Sequence, residues 1–327
     1  MPADQASLPA ITAASLRALR RIRGHIHRTP LLGALELGAR YRCDLRFKAE
    51  NFQRSGSFKV RGAFAKLTAL AELGHHGPLI TASSGNHGMA AAIAATTLGR
   101  RLRIVLPETV LPIKLERIRR LGAEIILHGR ESGSAEAHAA ALARSEGWTY
   151  LSPYNDLDVI AGQGTISLEL LDDLPRIDTV FVAMGGGGLI SGIGSVLKTI
   201  SPSTRVIGCA AAHDAALHAS IEAGQVVEVA SLPTLADGVG GSIEPGAITV
   251  PIARAVIDRV VVCSEADIIG ALRSLAIDEH QLVEGAAALA LAGFIKMAGE
   301  IEGAVNVVVL CGANFDYAKV HQLIGEG

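Results

Sequence analysis

Lys59 lies in the run Ser55-Gly56-Ser57-Phe58-Lys59-Val60-Arg61-Gly62-Ala63, where small turn-forming residues give way to a helical pattern. Gly56 and Ser57 predict a bend with a serine N-cap, and Phe58 predicts an apolar anchor for the new helix. A lysine pointing into a pocket from such a place loses its proton by desolvation and attacks a carbonyl, forming a Schiff base. Most helix lysines are simply solvated, and this segment alone does not decide otherwise. Two further segments do. Ser83-Ser84-Gly85-Asn86-His87-Gly88 follows the apolar run Leu79-Ile80-Thr81-Ala82 and precedes the helical stretch Met89 to Leu98. A strand, a polar glycine-containing turn and a helix start set free backbone N–H groups and an amide side chain at the mouth of an α/β crevice. Gly185-Gly186-Gly187-Gly188 separates the strand-like Thr179-Val180-Phe181-Val182-Ala183 from the helical Leu189 to Ile200. Consecutive glycines let the backbone wrap an anion with its N–H groups, and the following helix dipole favours a dianionic phosphate. A lone glycine cluster is weak evidence; glycine cradle, lysine and asparagine turn together are strong evidence.

The elements that must carry these groups alternate as in a parallel α/β protein. Leu102 to Leu106, Glu124 to His128, Thr179 to Ala183, Arg205 to Ala210 and Val305 to Leu310 read as buried strands. Leu111 to Leu121, Ser134 to Glu146, Val159 to Leu171, Glu265 to His280 and Glu284 to Met297 read as helices. No internal repeat, low-complexity tract or linker interrupts them.

At 327 residues and 49% hydrophobic, the chain can bury a large core and is long enough for two lobes. A net charge of -2 without a basic run argues against a nucleic-acid partner. Cys43, Cys209, Cys263 and Cys311 are widely spaced, which suggests neither a zinc site nor a disulfide framework and fits a reducing, cytoplasmic location. Thr179 to Leu197 carries no charge, but its glycine break and the flanking Asp178 and Lys198 predict strand, loop and helix rather than a membrane span. Arg17, Arg20, Arg21 and Arg23 on a helical pattern could mimic a transit peptide; Asp4 and the direct run into Arg28-Thr29-Pro30 favour an ordinary first helix.

At the three segments the chain resembles the fold type II pyridoxal-phosphate enzymes, specifically their threonine/serine dehydratase and serine racemase branch. The resemblance extends in family order through Arg28-Thr29-Pro30-Leu31, Glu50-Asn51-Phe52-Gln53, Lys114 to Ala123, Ala161-Gly162-Gln163-Gly164-Thr165, Ala236-Asp237-Gly238 and Val309-Leu310-Cys311-Gly312-Ala313-Asn314. The cysteine synthase branch is a poorer fit. The resemblance implies a two-lobed α/β fold of the tryptophan synthase β type, with parallel sheets flanked by helices. Residues 1–77 and 156–327 would form a large cofactor-binding domain, and residues 78–155 a small one. It further implies pyridoxal 5'-phosphate as cofactor, a small amino-acid substrate and a homodimer. The sequence stops soon after Asn314, so the regulatory domain of biosynthetic threonine dehydratases is expected to be absent.

Carried over residue by residue, Lys59 would form the internal aldimine and then serve as base, with Phe58 beside the ring. Asn86 would bond the pyridine 3-hydroxyl, and Gly185, Gly186, Gly187 and Gly188 would hold the phosphate. Ser83, Asn86 and His87 would grip the substrate carboxylate, and Ser84 would face Lys59 across the cofactor, where it permits reprotonation. Cys311 falls where a neutral group meets the pyridine nitrogen. A thiol is too weak an acid to keep that nitrogen protonated, which favours β-elimination over a persistent carbanion. Three segments depart from the family: Ala210-Ala211-Ala212 where an acidic cation ligand is usual, Ser152-Pro153-Tyr154-Asn155 at the substrate pocket, and Glu284-Gly285 at a helix start. No metal ligand is therefore assigned. The expected reaction is dehydration of a 3-hydroxy amino acid such as L-threonine or L-serine to a 2-oxoacid and ammonia. The alternatives are serine racemisation, dehydration of hydroxyaspartate, phenylserine or a hydroxyectoine-pathway intermediate, and non-catalytic cofactor binding.

Overall fold

The computed structural model describes residues 6–301, 303–317 and 320–322, so Asp4 lies outside the described residues. In chain order the elements are α1 (Leu8–Ile22), β1 (Leu31–Gly33), α2 (Leu35–Arg40), β2 (Asp44–Lys48), α3 (Lys59–Glu72), β3 (Leu79–Ala82), α4 (Asn86–Thr97) and β4 (Leu102–Leu106). They continue as α5 (Pro112–Arg120), β5 (Glu124–Leu127), α6 (Ser132–Glu146), β6 (Thr149–Tyr150), α7 (Leu157–Asp173), β7 (Thr179–Ala183) and α8 (Gly188–Ile200). The last are β8 (Arg205–Ala211), α9 (Ala216–Ala223), α10 (Thr249–Val256), β9 (Arg259–Cys263), α11 (Glu265–Ile277), α12 (Gly285–Lys296) and β10 (Val305–Val309).

Two sheets result. The larger runs β1-β2-β10-β7-β8-β9, parallel except for the antiparallel edge strand β1. The smaller runs β5-β4-β3-β6 and is parallel throughout. Parallel strands covered on both faces need continuous apolar runs, and β7 (TVFVA) is buried at every position. Helix α12 packs against the larger sheet with ten consecutive buried residues, Gly285 to Phe294. On the other side α7 packs against α8, α3 and α1. The approach of α7 to α3 is so close that a Cβ on Gly162 would lie 2.7 Å from Gly62 Cα. The apolar cluster beneath the smaller sheet is shared: Ile22 of α1 and Phe64 of α3 pack in it with Met89 of α4 and Ile104 of β4.

The helices begin where side chains can satisfy their first N–H groups. Asp156 accepts from the N–H groups of Asp158 and Val159 at 2.9 and 3.2 Å, which starts α7 two residues before its apolar pattern. Ser264 and Asp267 form a reciprocal capping box at α11. The uncharged stretch Thr179 to Leu197 is β7, the glycine turn and most of α8, and no described helix is long and apolar enough to cross a membrane.

Candidate active site

The turn that delivers Lys59 is tied to the exit of β10. Asn51 N–H donates to Leu310 O, Phe58 N–H donates to Cys311 O, and Ser57 pairs with Gly312 in an isolated bridge. Ser57 is not the cap that its type suggests. Helix α3 starts at Lys59 with Phe58 in the cap position, and Ser57 Oγ is buried without a hydrogen-bond partner. The backbone bridge to Gly312 holds Ser57 in the extended segment before the helix, which leaves the cap position to Phe58. Lys59 Nζ donates to Pro153 O at 2.9 Å and lies 5.2 Å from the centre of the Phe58 ring. Burial pushes its pKa down to about 8, against the opposing pull of Glu284. With that value about a tenth of the amine is unprotonated at pH 7, far more than for an ordinary lysine.

At the C-terminal end of β3 the chain turns through Ser83, Ser84 and Gly85 into α4, which Asn86 opens. Ser83 Oγ accepts the Gly85 N–H at 3.2 Å, and Ser84 is half-buried on the same turn. Asn86 Nδ2 donates to Glu284 Oε1 at 2.8 Å, and its Oδ1 accepts from Asn314 Nδ2 at 2.6 Å. His87 points elsewhere. Its buried Nε2 lies 3.0 Å from Thr81 Oγ1 and 3.1 Å from Leu151 O, while the Thr81 hydroxyl already donates to Leu151 O. With only acceptors facing it, Nε2 carries the hydrogen. Burial and nearby Lys59 hold the imidazole neutral, with its pKa pushed down to about 3. The His87 side chain thus braces the smaller sheet.

The four glycines join β7 to α8, with Gly187 in the left-handed region at φ 87 and in the cap position. No side chain fits at Gly186, where a Cβ would lie 2.3 Å from Tyr154 Cδ1. Tyr154 follows Pro153, whose carbonyl receives the Lys59 amine, so this short segment joins the lysine to the glycine turn. Tyr154 Oη accepts the Glu244 N–H at 2.7 Å. Cys311 is buried just past β10, and burial with nearby Glu284 raises its pKa well above the ordinary thiol range. It is a neutral thiol. Burial also lifts Glu284 to about 7, against hydrogen bonds from Asn314 and Asn86.

Bare glycine N–H groups at a helix start, a desolvated amine, an amide and a neutral thiol converge here. This donor set fits a phosphorylated aromatic aldehyde. Among known proteins, the family model described as "Pyridoxal-phosphate dependent enzyme" matches residues 22–312. The chain belongs to that family. Within this pyridoxal-phosphate family, it is 34% identical to the catabolic L-threonine dehydratase of Escherichia coli over 320 residues, covering 97% of each chain. The structure of processed threonine deaminase isoform 2 from Solanum lycopersicum superposes with a TM-score of 0.91 at 31% identity, covering 99% of this chain and 93% of that one. Maize serine racemase superposes with a TM-score of 0.88 at 32% identity, covering 96% and 97%. The chain is a pyridoxal-phosphate-dependent, dehydratase-like lyase with the two-sheet α/β fold of this family.

A chain of contacts through Pro153, Tyr154, Glu284 and Asn314 connects Phe58, Lys59, Asn86, Cys311 and the glycine turn, with Ser83 and Ser84 on the Asn86 turn. Sequence reasoning did not find Tyr154 as the wall of the glycine turn, nor Glu284 and Asn314 as partners of Asn86. The Ser152 to Asn155 and Glu284-Gly285 segments drew notice only as departures. Their partners lie far away in sequence, and periodicity carries no such signal.

Proposed function

We propose that this protein catalyses β-elimination of water from a 3-hydroxy amino acid, L-threonine or L-serine, releasing a 2-oxoacid and ammonia. The observation that carries this reading is the Lys59 amine, desolvated and held at Pro153 O beside the glycine turn. Pyridoxal phosphate, when bound, supplies an electron sink for the substrate Cα. Lys59 would anchor it and later take the α-proton, which a partly unprotonated amine can do. Gly185, Gly186, Gly187 and Gly188 would bind the phosphate through backbone N–H groups at the start of α8. Asn86 would hold the ring oxygen, Phe58 would line the ring face, and Cys311 would give the ring nitrogen a neutral neighbour. Ser83, Asn86 and the His87 backbone would orient the substrate carboxylate.

A second reading, serine racemisation, is favoured by one observation. Ser84 is half-buried on the turn that opens α4, and among the described residues its hydroxyl has no hydrogen-bond partner. Elimination from hydroxyaspartate, phenylserine or a hydroxyectoine-pathway intermediate uses the same machinery with another side chain. We further propose that residues 1–77 with 156–327 and residues 78–155 act as two lobes, that the protein works as a homodimer, and that it resides in the cytoplasm. The free thiols of Cys43, Cys209, Cys263 and Cys311 support a reducing compartment. The test is 2-oxoacid release from a panel of L- and D-hydroxy amino acids, with chirality followed in parallel. Faster inversion of serine than pyruvate release would replace the lyase reading, and no turnover on any substrate would leave only cofactor binding.

A further inference from the structure

One backbone carbonyl fixes the direction of a buried chain of amides around Asn86. Ser55 O can only accept, so the Asn314 atom that meets it at 2.8 Å is Nδ2. That same nitrogen lies 2.6 Å from Asn86, which must therefore turn Oδ1 toward it. Flipping the Asn314 amide would set oxygen against oxygen at Ser55. Asn86 consequently turns Nδ2 toward Glu284, whose Oε1 takes one of its two hydrogens at 2.8 Å. The other Glu284 oxygen accepts the Asn314 backbone N–H at 2.9 Å. Glu284 is 3% exposed, and a Cβ on Gly312 would lie 2.8 Å from its carboxyl carbon. The carboxyl group therefore has little freedom to move. Asn86 is left with its carbonyl oxygen occupied and one N–H unused.

We propose that Glu284 and Asn314 are positioning residues that hold Asn86 with its remaining N–H, and not its carbonyl oxygen, turned toward the cofactor. This rests on the reading of Asn86 as the partner of the pyridine ring oxygen. A donor at that place stabilises the ionised ring oxygen, whereas a carbonyl oxygen would repel it. The direction of the chain does not depend on the charge of Glu284, because a protonated carboxyl still offers an oxygen to Asn86 Nδ2. The ionisable groups facing Glu284 are Lys59 on α3, Cys311 after β10 and Asp237 in the turn before α10.

The test uses the holoenzyme and follows the visible absorbance of its bound cofactor against pH, with the cofactor dissociation constant measured alongside. Wild type is compared with Glu284→Gln, Glu284→Ala, Asn314→Ala and Asn86→Ala, each checked for its fold by circular dichroism. Losing the N–H donor should raise the midpoint of ring-oxygen ionisation by roughly one pH unit or more in Asn86→Ala. Glu284→Ala and Asn314→Ala should shift in the same direction and add nothing when combined with Asn86→Ala. Glu284→Gln keeps an acceptor for Asn86 and should shift less than Glu284→Ala. Should Glu284→Ala fail to fold, Asn314→Ala carries the same measurement. A shift in Asn86→Ala with none in the folded Glu284 and Asn314 variants overturns the positioning role and leaves the reading of Asn86 intact. No shift in Asn86→Ala overturns that reading, and the proposal with it.

Discussion

Arg61 and Glu50 meet through two hydrogen bonds of 2.8 Å, Nε to Oε2 and Nη2 to Oε1, with neither side chain exposed. Arg61 also donates to both oxygens of Glu169, at 2.7 and 2.9 Å, and Lys48 Nζ adds a bond of 2.6 Å to Glu169 Oε2. Two buried cations thus balance two buried carboxylates, two residues beyond Lys59. The network fastens the first turn of α3 to β2, to α7 and to the turn after β2.

Removing one member leaves an uncompensated buried charge, which costs more than the intact pair contributes. Arg61→Met should therefore destabilise the protein by about 3–5 kcal/mol, read as a lower urea midpoint. Arg61→Lys should recover little, since a point charge cannot make the paired contacts to both carboxylates. Burial pushes the Glu169 carboxyl up, but Arg61 and Lys48 outweigh it and hold it below the ordinary range. Its folded pKa is thus depressed, so its contribution is present above the unfolded pKa and is lost as pH falls through the lowered value. A loss below about 1 kcal/mol in Arg61→Met would show that the network does not secure the fold.

Lys59 gives the second prediction. With its pKa pushed down to about 8 by burial, its free-amine fraction rises through that value instead of through the usual lysine range. Covalent attachment of pyridoxal phosphate to cofactor-free protein should accelerate as pH rises and level off above about 8. Borohydride reduction should fix the adduct on Lys59, as read by peptide mapping. Lys59→Ala should retain some cofactor through the glycine turn while turnover drops by roughly 10²–10⁴-fold or more. An adduct on another lysine, or none, would remove Lys59 from its assigned place.

Sequence periodicity revealed what depends on near neighbours. The runs that became β4, β7, β8 and β10 are apolar and flanked by helical patterns, so their parallel pairing could be anticipated. Strand β2 was missed because it reads Asp44-Leu45-Arg46-Phe47-Lys48, with charges at alternate positions. Lys48 is nevertheless fully buried, and the reason is Glu169, 121 residues away in sequence. Strand β9 was missed although Arg259-Val260-Val261-Val262-Cys263 is a short β-branched run, and at the sheet edge its Arg259 and Val262 face solvent. The site divides along the same line. Lys59, Asn86 and the glycine turn lie on local strand–turn–helix patterns, whereas Glu284 and Asn314 gain meaning only once β10 and α12 meet α4.

Cations supply the third prediction. Where an acidic ligand is usual in the family, β8 ends in Ala210 and Ala211, and the nearby Asp214 is already engaged. Its Oδ2 accepts from Ser231 Oγ at 2.6 Å and from Gly241 N–H at 2.9 Å, pinning the long segment before α10. A hard cation requires several oxygen ligands, and this carboxylate oxygen serves the protein itself. After chelation and desalting, activity should stay within about twofold on adding magnesium, calcium or potassium. Saturable activation well beyond that would show that Asp214 exchanges its internal partners for an ion.

The last prediction sets elimination against inversion through Cys311 and Ser84. The Cys311 thiol is buried and neutral, with its pKa raised well above the ordinary range, so it cannot supply a charge that keeps a ring nitrogen protonated. The electron sink is then weak, and a carbanion at Cα should expel a β-hydroxyl before it can be reprotonated. Cys311→Ser should preserve the product ratio, since a hydroxyl makes the same neutral contact. Cys311→Asp places a carboxylate at the ring nitrogen, favours its protonation and should move the ratio of D-serine to pyruvate upward by about tenfold, or about 1.4 kcal/mol. Ser84→Ala tests the opposite face: it should abolish inversion of serine while leaving most 2-oxoacid release. Chiral chromatography and a coupled pyruvate assay on the same reaction measure both products. If Ser84→Ala removes both activities together while the cofactor stays bound, Ser84 belongs to the elimination step as well, and the division of labour between the two faces fails.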